Sequence, residues 1–371
     1  MTEERATQRF RPWWPILLLI PGGIGVALAE IAVWVSPSSF PLLALFGMAF
    51  PFSSAVLIIG TVGAVWARRW KALLVGALLI AAAWSHVEAT WGTWSAPPED
   101  EASRNALKVL TWNVRQFNRY GWIERSDVRD SILSYLAAQD ADVICLQECF
   151  LEDRRQPWMS EARLKQATGL NHWQEEFKLG RGQDKLFGLA ILSRYPLANK
   201  SAIRFANDKN NSAMHVDVLV NGDTVRVYNM HLSSIGFEKK DYEDARNVQD
   251  EEARQRLFQR LATAWSKRAE QAEEVASSVA ATELPVIAVG DFNDTPVSYA
   301  AGRFGRHLRD AYRSASMSSD PAFGATYIGD LPMLRIDQMW ASPELHVSGH
   351  TTGTVEWSDH RPVHATFSWE E

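Results

Sequence analysis

Cysteine is almost missing from this chain: Cys145 and Cys149 are the two in 371 residues, both in the run DVICLQEC. On one strand they would stand about 13 Å apart, at roughly 3.3 Å per residue, beyond disulfide reach. A disulfide framework and a cysteine zinc site are thereby excluded, and cysteine usage carries little information about compartment. Surplus positive charge is missing too. Lys and Arg number 38 against 44 Asp and Glu, a formal net charge of −6. Residues 1–99 take six of the basic and five of the acidic side chains, which leaves 32 and 39 for residues 100–371, a net of −7 there. A protein that grips long polyanions by charge alone shows the opposite sign, so tight nonspecific nucleic-acid binding is disfavoured. Internal repeats and low-complexity segments are absent, and no long apolar run occurs beyond the first hundred residues.

Within those hundred residues apolar runs dominate. Pro15–Val35 is apolar apart from Glu30, Pro41–Trp66 carries no charge, and Ala72–Val87 ends in Ser85, His86 and Val87. The second is long enough to span a bilayer with some tilt. Trp70, Trp84, Trp91 and Trp94 bracket the third, as interfacial aromatics do. Successive apolar segments without a small-residue cleavage site argue against a signal peptide. We therefore expect a transmembrane region over residues 1–95 with three helices, at about 15–35, 41–66 and 70–87. An interfacial or buried third helix, leaving two spans, is the alternative. Arg5, Arg9 and Arg11 precede the first span, Arg68, Arg69 and Lys71 lie between the second and third, and Ser36–Phe40 carries no charge. The positive-inside rule then makes the N-terminus and the RRWK loop cytoplasmic. Three spans deliver the acidic linker, residues 96–104, and all that follows to the extracytoplasmic side of a plasma or inner membrane. Glu30 falls near the outer end, where an interfacial carboxylate is expected. Without repeated intramembrane charges, anchoring is the simpler role for the spans than transport or signalling.

From residue 105 onward strands and helices alternate. LKVLTWNV, DVICLQE, FGLAILS and PVIAVGD read as strands buried on both faces. SAMHVDVLVNGDTVRVYNMHL reads as a hairpin turning at Asn221-Gly222-Asp223, and LRIDQMWAS and HATFSW supply two more strands. Asp127–Gln139 has Val128, Ile132 and Leu136 at helical spacing, with Ser126 as the expected N-cap. Asp241–Ala280 is charged and helical, a solvated cover whose Lys239, Lys240, Arg254, Arg256 and Arg260 offer a second role against an anionic substrate or headgroup. The fold class expected is α/β: two packed mixed sheets flanked by helices.

Polar residues end strand after strand. Asn113 ends TWN, Glu148 ends CLQE, and His231 lies in YNMHL. Asp291 and Asn293 lie in GDFND, Asp337 in LRID, and Asp359 and His360 in SDHRP. Each alone has a plain reading as a turn, cap or core histidine. Together, in this order and each tied to a strand, they do not.

The motifs TWNVRQFN, LQE, ILSRYPL, NMHL, GDFNDTP, RID and SDHRP resemble the endonuclease/exonuclease/phosphatase superfamily over roughly Leu107–Trp369. That superfamily includes pancreatic-type deoxyribonuclease, abasic-site endonucleases, inositol-phosphate 5-phosphatases and neutral sphingomyelinases. The resemblance implies a four-layer α/β sandwich over residues 105–371. It also implies a divalent ion, Mg²⁺ or Mn²⁺, on Glu148 with Asn113 and Asp359; hard oxygen ligands suit either ion. Asp291 is implied to activate the attacking water and Asn293 to hold the water or phosphate in line. His360 would sit against the phosphate with Asp337 fixing its tautomer, and His231 would add a donor to the developing charge. A histidine at position 231 resembles the deoxyribonuclease, sphingomyelinase and phosphatase branches rather than the abasic-site endonucleases. Arg335 contacts the phosphate or pairs with a carboxylate, and Arg268 and Gln271 resemble a supporting R-x-x-Q pattern. Gln338-Met339 departs from the usual RIDYI wording after the aspartate.

A membrane-anchored phosphoesterase cleaving a phosphodiester, either nucleic acid or a phospholipid-like headgroup, is the function these features imply. A phosphomonoesterase, or a non-catalytic binding module on the same fold, is the alternative. The lipid bilayer is an expected partner, and no protein partner is expected.

Overall fold

The computed structural model describes residues 12–92, 106–179, 185–236, 250–315, 324–329 and 334–369. Five helices come first: α1 (Trp14–Ala32), α2 (Leu42–Met48), α3 (Phe50–Trp66), α4 (Trp70–Ala82) and α5 (Trp84–Trp91). By length and composition α1 alone can cross a membrane as a single helix, and the pairs α2–α3 and α4–α5 pass the same test only taken together. The expected helices at 41–66 and 70–87 are thus not continuous: the first pair bends by 63° and the second by 71°. Pro51 in the first turn of α3 explains one break, because proline lacks the N–H that a helix continuing from α2 would need. At the second, Ala83 leaves helical geometry and α5 turns Ser85, His86 and Glu88 aside from the apolar α4. Glu30 meets His86 Nδ1 at 2.6 Å, pairing the carboxylate of α1 with the bent third segment. Trp94, Arg5, Arg9, Arg11 and the linker 96–104 lie outside the described residues.

Twelve strands follow among the described residues, with helices between them: β1 (Leu107–Asn113), β2 (Val143–Glu152), β3 (His172–Leu179), β4 (Lys185–Ser193), β5 (Leu197–Arg204), β6 (Ser212–Val220), β7 (Asp223–His231), β8 (Val286–Asp291), β9 (Arg309–Asp310), β10 (Asp337–Ala341), β11 (Leu345–Thr352) and β12 (Val363–Trp369). One sheet has the order β11-β12-β1-β2-β4-β3, the other β5-β6-β7-β8-β10-β9. β1 and β2 run parallel, as do β7 and β8; every other pairing is antiparallel. The β6–β7 hairpin turns on Asn221 and Gly222, both at positive φ, with Val220 opposite Asp223.

Alternate residues of the central strands divide between two cores. Val109, Cys145, Ile191, Val216, Val227, Val289 and Met339 fill the space between the sheets. Leu110, Trp112, Ile144 and Leu146 face the other way, onto Ile132 and Leu136 of α6 (Val128–Ala138) and Leu164 of α7 (Glu161–Thr168). On the far side Tyr228, Met230, Val286 and Ala288 pack against Ala272 and Val275 of α8 (Glu251–Ala280). The result is the four-layer α/β sandwich. The N-cap of α6 is Asp127 rather than Ser126; its carboxylate pairs with Arg125 at 2.6 Å. α8 starts at Glu251, capped by Asp250, whose carboxylate accepts from the N–H groups of Glu252 and Ala253. The expected start at Asp241, with Lys239 and Lys240, lies outside the described residues.

The sheets are also cross-bolted. Gln147 Nε2 on β2 donates to Asn229 Oδ1 on β7 at 2.7 Å and to Thr111 Oγ1 at 2.8 Å. Asn229 Nδ2 in turn donates to the carbonyls of Leu146 and Ala190, both at 3.0 Å. Both amides are fully buried, one residue before Glu148 and two before His231.

Candidate active site

The parallel pairs β1–β2 and β7–β8 end at the same edge of the sandwich, and their registers set Asn113 beside Gln147 and His231 beside Asp291. The antiparallel partner β10 begins there, with Asp337 opposite Asp291. A cavity of about 360 Å³ opens at this edge, lined by Asn113, Glu148, His231, Asp291, Asn293, Asp359 and His360 among others. Backbone form serves side-chain placement at two points. Glu148 occupies a break in the β2–β4 register at φ +49°, a bulge that re-aims its carboxylate. Gly290 precedes Asp291 because a Cβ at that position would stand 2.0 Å from the Met230 carbonyl oxygen.

Asp291 is the hub. Its Oδ2 accepts from Asn113 Nδ2 at 3.0 Å and lies 3.5 Å from His231 Nε2 and 3.7 Å from His360 Nε2. Its Oδ1 accepts from the Asn293 N–H at 2.8 Å. Asn293, at φ +50°, donates through Nδ2 to the Leu232 carbonyl at 2.9 Å. His360 Nδ1 is 2.8 Å from Asp337 Oδ2. Burial opposes charge on His360, but Asp337 and Asp291 on either side of the ring outweigh it and raise its pKa.

Segments far apart in sequence hold this arrangement. Trp112 Nε1 donates to the His360 carbonyl at 2.8 Å and Ser358 Oγ to the Asn113 carbonyl at 2.7 Å, which joins SDH to the end of β1. Thr326 Oγ1 accepts from the N–H groups of Ile336 and Asp337, both at 3.0 Å. Arg268 of α8 donates to Asp294 at 3.3 Å and to the Ser233 carbonyl at 2.9 Å, while Gln271 Oε1 accepts from Ser233 N–H at 2.8 Å. The R-x-x-Q pair therefore pins the turn after His231 to the turn after Asp291.

One expected site residue is elsewhere. Arg335 does not line the cavity; it is buried, forks Asp310 at 2.5 and 3.2 Å, and donates to the Ala89 carbonyl at 3.1 Å. The carboxylate-pairing alternative describes it, and the phosphate-contact alternative does not. Three further cavity residues are not singled out by the sequence, although Arg115 lies within TWNVRQFN. Arg115 meets Asp359 at 3.3 Å, the Tyr327 ring lies 5.2 Å from that of His360, and Met48 arrives from α2. Of the basic residues on α8, Arg256 and Arg260 line a neighbouring cavity of about 650 Å³ that shares Ser234, Ile235 and Gly236 with the first. Arg254 pairs with Glu251.

Two donor sets could hold a cation. Asp291, Asp337 and His360 bring ligand atoms within 4.8 Å of one another. There Nδ1 of His360 is already held by Asp337, which leaves Nε2 as the nitrogen facing Asp291. Asn113, Glu148 and Asp359 offer an amide oxygen and two carboxylates on the same cavity, a hard oxygen set that fits Mg²⁺ or Mn²⁺.

A two-sheet α/β sandwich with carboxylates and histidines gathered where its parallel strands end is the class that fold and site define. The chain belongs to the Endonuclease/Exonuclease/phosphatase family, which it matches over residues 110–360. Members of this family are generally hydrolases of phosphate esters and generally depend on a divalent metal. The fold is similar to that of the endonuclease/exonuclease/phosphatase of Beutenbergia cavernae, with a TM-score of 0.54, 22% identity and 72% of each chain covered. It is also similar to the endonuclease/exonuclease/phosphatase of Bacteroides vulgatus, at TM-score 0.53 and 17% identity, over 72% of this chain and all of the other. The catalytic domain of human nocturnin, solved with bound sulfate, aligns at TM-score 0.52 and 18% identity, over 73% of this chain and 96% of its own. No curated protein is a significant match in sequence.

Proposed function

We propose that the chain is a membrane-anchored, metal-dependent phosphoesterase that hydrolyses a phosphodiester by in-line attack of an activated water. The convergence of Asp291, His231 and His360 on one cavity with Asn113, Glu148 and Asp359 is the observation that carries this reading.

Asn113, Glu148 and Asp359 would hold Mg²⁺ or Mn²⁺, which supplies charge neutralisation at the phosphate. Asp291 takes the proton from the attacking water. The Asn113 amide and the Asn293 N–H hold its carboxylate in one orientation, and fixed orientation is worth much of the barrier in such reactions. Asn293 holds water or phosphate in line. His231 and His360 face the same Asp291 oxygen and donate to the charge that develops on phosphorus-bound oxygen. Asp337 keeps Nδ1 of His360 protonated so that Nε2 points its proton into the cavity.

For the anchor, the 19 residues of α1 measure about 28 Å at 1.5 Å per residue, close to a hydrocarbon core. Trp13, Trp14, Trp66 and Arg69 gather at one end of the bundle, where Arg69 Nε donates to the Pro12 carbonyl at 2.7 Å and covers the Trp13 ring. The sandwich contacts the other end. With the arginine end cytoplasmic, the catalytic domain is extracytoplasmic.

The test is hydrolysis of bis(p-nitrophenyl) phosphate by the full chain in detergent, with Mg²⁺ and then with chelator, beside Asp291→Asn and His360→Ala. Loss of turnover by about 100-fold or more in each variant and on chelation is expected. Near-normal turnover in either variant would sink the assignment. A reporter fused after residue 100 that is active only in the cytoplasm would overturn the orientation.

A further inference from the structure

The helical region is part of the cavity wall. Met48, the last residue of α2, lines the same cavity as Asp291 and His360. It reaches that position through the break before α3 and a close backbone approach. A Cβ on Gly47 would stand 2.1 Å from the Val297 carbonyl oxygen, and Thr295 Oγ1 is 3.5 Å from the Gly47 carbonyl. Val297 is buried among Val26, Val33 and Phe50 of the helices. Thr295 and Val297 follow Asn293 on the loop after β8, so that loop is seated directly on the helix bend. Arg335 to the Ala89 carbonyl and Arg313 to Glu88, at 3.1 and 3.2 Å, fix the sandwich to α5 as well.

The bend also presents apolar surface. Phe40, Leu42, Leu45 and Phe52, all within eight residues of Met48, are 51, 43, 38 and 64% exposed. Inside the cavity Ile235, Leu334 and Ile336 add apolar wall beside the polar groups. A polynucleotide would instead need free cations along its path. The two arginines that line the cavity, Arg115 and Arg268, are each committed to a carboxylate, Asp359 and Asp294, and the further basic side chains Arg256, Arg260 and Lys267 line the neighbouring cavity rather than the one that Met48 walls.

We propose that the substrate is a lipid held in the bilayer, whose phosphodiester enters past Met48 while its acyl chains remain against the exposed apolar bend. Met48 is then a specificity-determining residue supplied by the membrane region. This rests on the phosphoesterase reading above. In the step, water oxygen bonds to phosphorus and one P–O ester bond breaks. The departing alcohol oxygen receives a proton, and a phosphomonoester remains on the other fragment.

The experiment uses the full chain in vesicles of phosphatidylcholine and phosphatidylglycerol with Mg²⁺, with bis(p-nitrophenyl) phosphate and plasmid DNA offered in parallel. Release of a headgroup fragment from the vesicle lipid is expected, and Met48→Glu should lower the ratio of lipid to soluble-diester turnover at least tenfold. A charge at the bend can disturb folding, so wild-type protein is also cross-linked with a phospholipid photoactivatable at its headgroup. Label on both Phe40–Phe52 and residues 233–236 is expected. Cleavage of the soluble diester without the lipid, preference for DNA, an unchanged ratio in Met48→Glu, or label missing from either segment overturns the lipid proposal while the phosphoesterase stands. Failure to cleave the lipid, the soluble diester and the DNA alike overturns the phosphoesterase reading, and the lipid proposal with it.

Discussion

His360 and Asp337, 23 positions apart in sequence, meet at 2.8 Å with both side chains buried beside the catalytic candidate Asp291. The pair predicts a kinetic signature. Asp337→Asn keeps the shape but lets the ring take the other tautomer, with its Nε2 unprotonated. Turnover should fall by about 100-fold while KM changes little. Steady-state kinetics on bis(p-nitrophenyl) phosphate check this, and a change in KM alone would contradict it.

Four carboxylates, from Glu148, Asp291, Asp337 and Asp359, crowd one end of the sandwich with few cations opposing them. Binding of a divalent ion to the native state alone should therefore raise the melting temperature. A Mg²⁺ titration followed by differential scanning fluorimetry is expected to show a saturable rise, much reduced in Glu148→Gln. An equal rise in the variant would remove Glu148 from the ligand set.

Arg335 predicts a loss of stability rather than of chemistry. Its fork on Asp310 is buried on both sides, so Arg335→Ala leaves a carboxylate without its partner and should cost about 3–5 kcal/mol. Arg335→Ala with Asp310→Ala should recover part of that loss. Denaturant unfolding of the single and double variants measures both. A single variant as stable as wild type would show the pair to be dispensable.

His364 predicts a pH dependence. Burial, with the charge of His350 adding to it, lowers its pKa from 6.5 to about 4, and Tyr135 Oη lies 2.9 Å from its Nε2. The unfolded chain binds the proton first as pH falls, so this contribution to stability is whole above pH 6.5 and is lost progressively toward pH 4. Unfolding at pH 7 and at pH 5 should show a smaller difference for His364→Asn than for wild type.

Much of the sandwich was legible because its inner strands are buried on both faces. Short, β-branched apolar runs such as VICL and VIAVG, too short for a buried helix, fit a strand covered on both faces. The four strands that sequence reading omits, β3, β5, β9 and β11, are the four sheet edges. Their faces are partly solvated, as the exposed stretch of LANKSAIR shows, so polar residues interrupt the pattern. The helix breaks were missed for a related reason: apolar composition over 41–66 is blind to direction, and Pro51 acts only on backbone hydrogen bonding.

By itself the sequence determined which residue types stand at the strand ends, since a polar group can close a buried strand only where the chain reaches an edge. It also determined the apolar N-terminal region, from the length of its uncharged runs. Only tertiary structure decided which polar groups share a cavity. It sent Arg335 to Asp310 instead of the site, because a buried carboxylate on a neighbouring segment competes for the same guanidinium. It bolted Gln147 to Asn229 across the sheets, where buried amides need partners and Thr111 and the Leu146 and Ala190 carbonyls supply the rest. It set Met48 against the catalytic edge, because the bend at Ala49 and the missing side chain of Gly47 let two backbones approach to a distance no local pattern encodes.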